Sequence, residues 1–158
     1  AIHILTGSRY THAAISFDAD LREMFSFGRR YTRNPFLGCF RREQLHTGVY
    51  GIAPTLPGAV LEIAVSRTEY EKAREFVDVF SRHSKWFGYN YLGLFMAAFG
   101  IATRDGRRFV CSEFVYFILS RSGICDGKRR RSLVTPQDLF TLAGDVIYTG
   151  DLKRYAAV

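Results

Sequence analysis

Arg9–Phe17, RYTHAAISF, alternates residue by residue, and the stretch after it, Arg22–Gly28, REMFSFG, alternates again. In the first, Thr11, Ala13, Ile15 and Phe17 share one face, and Tyr10, His12, Ala14 and Ser16 share the other. In the second, Phe25 and Phe27 oppose Met24, Ser26 and Gly28. Asp18-Ala19-Asp20 between them is a turn signal, so the pair reads as a β-hairpin. Joining the apolar faces puts Ile15, Phe17, Phe25 and Phe27 on the core side. His12 and Ser26 then share the opposite side, among small neighbours.

Outward from the hairpin, Ile2–Thr6 reads as the remnant of a preceding strand or as part of a helix. Asn34-Pro35 and Gly38 mark a loop that carries on through Arg41-Arg42-Glu43, and Gly48–Ile52 reads as a short strand. Ala59–Ser66, AVLEIAVS, is a strand. Thr68 with Glu71 three residues later predicts the start of a helix, whose apolar stripe is Ala73, Phe76, Val77 and Phe80. Cys111–Ser122, CSEFVYFILSRS, predicts a helix closed by Gly123, with Cys111, Phe114, Val115 and Ile118 on one face. Glu113, two positions after Cys111, is expected off that face, favouring the helix N-terminus electrostatically. Thr135 and Asp138 predict the capped start of another helix, with Pro136 at an early position, and Asp145–Thr149 reads as a final strand. Strands, helix, helix, strand describe an α+β chain, and 158 residues suit a single domain over 1–158.

Composition narrows the function classes. Hydrophobic residues at 47% and charged residues at 23% exclude a disordered chain. No apolar run reaches the roughly 18 residues of a membrane span. The net charge of +7 comes in short Arg-rich clusters, Arg29-Arg30, Arg41-Arg42, Arg107-Arg108 and Lys128–Arg131. Scattered clusters fit a solvated basic face, and no zinc-finger spacing or aromatic nucleic-acid signature accompanies them, so no nucleic-acid partner is expected. The three cysteines, Cys39, Cys111 and Cys125, form neither a disulfide framework nor a Cys-x-x-Cys pair, and no metal or other cofactor is expected. Cys39, among Phe36, Leu37 and Phe40, reads as a small buried hydrophobe, and Cys125 as a residue of a polar loop. With no leader pattern and no disulfide framework, a cytoplasmic setting is expected ahead of the cell envelope.

Cys111 differs from the other two because it opens a predicted helix. Free backbone N–H groups and the helix dipole favour a thiolate there, and the same N–H groups can hold an oxyanion. Such a sulfur needs a base. Of the four histidines, His3 lies near the terminus, His46 in a polar loop and His83 at a helix end, which leaves His12 on its strand. A lone helical Cys or strand His is ordinarily structural. The pair points to papain-like chemistry with the His ahead of the Cys in the chain, the reverse of the usual order.

At these residues the sequence resembles the circularly permuted NlpC-like cysteine hydrolases, a group that includes YiiX- and YebB-like bacterial proteins and is related to lecithin:retinol acyltransferase-like enzymes. The segments that carry the likeness are Tyr10–Ile15, Met24–Arg29, Tyr89–Leu94, Phe109–Val115 and Val134–Leu139, spread from near the start to near residue 140, so the resemblance spans most of the chain. The resemblance implies a permuted papain-like fold, an antiparallel sheet packed against the Cys111 helix. It implies Cys111 as nucleophile, His12 as base, and a polar residue on the next strand to orient the imidazole, by position Ser26, with Glu43 the second choice. It also implies a tyrosine near the nucleophile, Tyr89 or Tyr91, and with Ser112 these are the expected substrate or oxyanion contacts. The expected activity is a thiol-dependent hydrolase or amidase on a small-molecule, peptide (such as a cell-wall stem peptide) or lipid acyl substrate. A catalytically silent module binding an anionic lipid or wall polymer is the alternative.

Overall fold

The structure, a computed structural model, describes residues 1–7, 12–31, 34–86, 111–128, 134–142 and 144–156. Its strands are β1 (Ile2–Gly7), β2 (His12–Ser16), β3 (Met24–Tyr31), β4 (Asn34–Glu43), β5 (Pro57–Ile63) and β6 (Asp145–Asp151). They form one antiparallel sheet in the order β4-β3-β2-β1-β5-β6. The helices are α1 (Gly48–Ile52), α2 (Arg67–Trp86), α3 (Cys111–Arg121) and α4 (Pro136–Leu142). The chain is therefore α+β, and α3 packs across β2 and β3.

The hairpin forms where the alternation places it. Asp18 organises its turn: one carboxylate oxygen accepts from Ser16 Oγ at 2.8 Å and Glu23 N at 3.0 Å, the other from Arg22 N at 2.9 Å. These bonds hold Leu21 in the left-handed region, φ 56°, which a non-glycine residue otherwise avoids. Ala13, Ile15, Phe17, Phe25 and Phe27 enter the core beneath α2 and α3, while Ala14 and Met24 face a second cluster with Leu5, Val60 and Leu152.

Three local readings are corrected. Asn34–Glu43 is a strand, not a loop. It lies at the sheet edge, where Pro35 costs no central ladder bond. Gly48–Ile52 is a helical turn, not a strand. Its β-prone Val and Ile are overruled by tertiary contacts, chiefly the Tyr50 hydroxyl described below. The cap of α2 is Ser66, two positions ahead of Thr68. Ser66 N and Oγ both donate to Glu69 Oε2, at 2.7 and 2.8 Å, and Ser66 Oγ accepts from Glu69 N at 3.2 Å. Ser66→Ala is expected to lower the unfolding free energy by ~1 kcal/mol, whereas Thr68→Ala changes little; urea titration of both variants checks the pair.

The Cys111 helix is buried on every side rather than along one stripe: Cys111 through Leu119, Glu113 included, are all buried between the sheet and α2 and α4. Glu113, expected off the Cys111 face, is buried with the rest of the helix. Gly123 closes the helix at φ 85°. At α4 the expected cap is present, with Thr135 N and Oγ1 donating to Asp138 Oδ2 at 2.8 and 2.7 Å. Gly58 of β5 permits a close approach of neighbouring backbone. A Cβ there would land on the Thr6 carbonyl oxygen and 2.7 Å from Leu152 Cδ1, so only glycine lets β1, β5 and the Leu152–Arg154 turn close together.

Candidate active site

His12 is the first residue of β2, and its side chain is on the face opposite the helices. Cys111 is the first residue of α3, in the helical layer. The described pairs of β2 with β3 are Ile15↔Phe25 and Ser16↔Met24, at the far end of β2 from His12. β3 and β4, by contrast, pair along almost their whole length. At the His12 end of β2 the Cys111 side chain lies within hydrogen-bonding reach of the imidazole.

The other side of the ring belongs to Glu43. His12 Nε2 lies 3.1 Å from Glu43 Oε2, with the two side chains 28% and 13% exposed. An imidazole has two nitrogens, so Nδ1 is the one left for the sulfur. Glu43 ends β4 opposite Met24, on the face that carries His12. The orienting contact is therefore made by Glu43, the second choice, and not by Ser26. Ser26 Oγ is buried with no hydrogen bond of ordinary geometry among the described residues, though it is near enough to Glu43 to favour its ionised form.

Tyr50 is the residue sequence reasoning missed. Its hydroxyl donates to the same Glu43 Oε2 at 2.9 Å, and its ring centroid lies 5.9 Å from that of His12. The only sequence cue was an aromatic in a segment read as a strand, and no spacing rule links it to Glu43. Leu5, Ala14, Met24, Leu45, Leu56 and Leu152 wall a small cavity against His12 and Tyr50. An apolar wall strengthens the hydrogen bonds it shields.

The electrostatics follow from these contacts. Burial disfavours a charged imidazole, but hydrogen bonds to Cys111 and Glu43, with the negative charge of both, outweigh it and push His12 up to about 10. Burial likewise disfavours a charged Glu43, yet the contacts with His12, Ser26 and Tyr50 hold its carboxyl below the usual range. The Tyr50 phenol is pushed up by burial and by the Glu43 carboxylate, so it stays a hydrogen-bond donor.

Other candidates fall elsewhere. Ser112 Oγ donates to the Val134 carbonyl at 2.6 Å, which ties the start of α3 to the start of α4 and commits that hydroxyl to structure. Tyr89 and Tyr91 lie outside the described residues, as does the side chain of Cys39. His3 is buried on β1, 4.0 Å from Glu62, and His46 is exposed. Cys125 is half-buried beside the core, and burial pushes its thiol up. Among the described residues no group of three or more His, Cys, Asp or Glu is placed to hold a metal, and no helix is long and apolar enough to cross a membrane.

The arrangement offers a sulfur at a helix N-terminus, a proton acceptor beside it and a carboxylate behind the acceptor, a set suited to nucleophilic attack on a carbonyl. Compared with protein-family models, curated proteins and solved structures, the chain finds no match.

Proposed function

We propose that this protein is a thiol-dependent hydrolase that cleaves an amide or ester by acyl transfer, with the permuted papain-like architecture its motifs suggest. The observation that supports the reading is the contact of one imidazole with Cys111 on one side and Glu43 on the other. His12 takes the Cys111 proton, and the sulfur forms a bond to the substrate carbonyl carbon. The carbonyl oxygen becomes an oxyanion, held by backbone N–H groups at the start of α3. The bond to the leaving nitrogen or oxygen then breaks, and His12 returns its proton to that atom, leaving a thioester on Cys111. Water, deprotonated by His12, attacks the thioester and releases the acid and the free thiol. Glu43 holds the ring in register and stabilises its charge in both halves, as the carboxylate of a catalytic triad does.

An activated acetate ester tests this without knowledge of the natural substrate. The expected result is a burst of leaving group equivalent to the protein present, with the acetyl group on the Cys111 peptide and no burst in Cys111→Ala. A burst that survives Cys111→Ala, or acetyl spread equally to Cys125, overturns the proposal.

A further inference from the structure

Glu43 Oε2 accepts from two donors, His12 Nε2 at 3.1 Å and the Tyr50 hydroxyl at 2.9 Å. A carboxylate oxygen that serves two donors gives each less of its charge than it would give one alone. We propose that Tyr50 is a positioning residue that tempers the hold of Glu43 on the His12 imidazolium, by drawing on the same oxygen. This rests on the hydrolase reading of the site and adds to it a control on proton return. In the acyl-transfer cycle His12 must give its proton to a leaving group, and an imidazolium bound too tightly to Glu43 is a poor acid. Tyr50 is suited to the part. It is carried by α1, an element separate from those bearing His12 and Cys111, and its ring sits beside the imidazole. The charged and titratable groups about this contact are Cys111 from α3, Glu43 and Arg41 from β4, and Tyr50 itself from α1.

The test is the pH titration of the His12 ring followed by NMR, with Cys111 alkylation by iodoacetamide at neutral pH read on the Cys111 peptide. Tyr50→Phe removes the hydroxyl and keeps the ring. It is expected to move the His12 titration upward by about one pH unit, tenfold in the proton equilibrium. Glu43→Gln is expected to move that titration downward. In Glu43→Gln, adding Tyr50→Phe is expected to have no further effect, because the shared oxygen no longer carries charge. A Tyr50 that merely supports the fold would loosen Glu43, and its loss would move the midpoint downward with Glu43→Gln. That result, or no movement, overturns the proposal. The NMR titration reads Tyr50 and Glu43 whether or not Cys111 reacts. Failure of the hydrolase reading shows separately, as Cys111 alkylation indifferent to His12→Ala.

Discussion

His12→Ala lowers the rate at which iodoacetamide alkylates Cys111 at neutral pH by about 100-fold, the low end of what a positioned base contributes. The nucleophile in alkylation is the thiolate, and an ordinary free thiol is mostly protonated at neutral pH. Beside His12 the thiol proton has an acceptor whose charged form is itself stabilised by the Glu43 carboxylate. The His12 proton is held up to about 10, so the imidazolium formed there persists across the neutral range and is lost only as pH rises toward that value. Alanine removes the acceptor while leaving β2 paired with β1, since the Gly7↔His12 register is a backbone contact. Cys125 is the internal reference: it is half-buried, and burial raises its thiol, so it reacts slowly in both proteins. Equal rates for Cys111 and Cys125 in the wild type, unchanged in His12→Ala, would remove the chemistry from this site.

What could be read from the chain follows the range of the forces involved. The hairpin was legible because alternation and an Asp-rich turn are local, and Ile15, Phe17, Phe25 and Phe27 lie on the core side as that alternation requires. The start of α4 was legible for the same reason, Thr135 and Asp138 being three residues apart. The strand at Asn34–Glu43 was hidden by Pro35 and Gly38, which signal loops except at a sheet edge, and edge position is a property of the whole sheet. That error bore on the site. Reading Arg41-Arg42-Glu43 as loop ranked Glu43 below Ser26, whereas ending β4 opposite Met24 turns its carboxylate to the His12 face. Tyr50 was invisible because its contact with Glu43 is set by tertiary packing, which nothing in its sequence neighbours specifies. Cys111 and His12 were found together by chemistry, each having the residue type and local setting that the other requires. The packing that brings the start of α3 to the His12 end of β2 had no local sequence signal.

Phe114→Ala is expected to cost about 4 kcal/mol of stability, within the range for deleting a fully buried phenylalanine. Phe114 is 0% exposed and sits where the sheet and two helices converge. Its ring meets Phe80 of α2 edge-on at 5.3 Å, Phe40 of β4 at 5.6 Å, and lies 6.4 Å from Phe27 of β3. Alanine therefore loses the transfer energy of the ring and three aromatic contacts, and it leaves a cavity that a helix buried on all sides cannot collapse to fill. Phe114→Leu keeps most of the volume and should lose markedly less. Denaturant titration of the two variants gives the measurement, and a loss below about 1 kcal/mol for alanine would mean that this core repacks freely. The consequence reaches the site because Phe114 lies one helical turn from Cys111, on the face of α3 that fixes the height of the helix over the sheet. A displacement near 1 Å at that end separates sulfur from imidazole, which costs about 100-fold in a reaction that depends on their contact. Under conditions where Phe114→Ala remains folded, its Cys111 alkylation rate should therefore fall toward that of His12→Ala, while Phe114→Leu stays near the wild type.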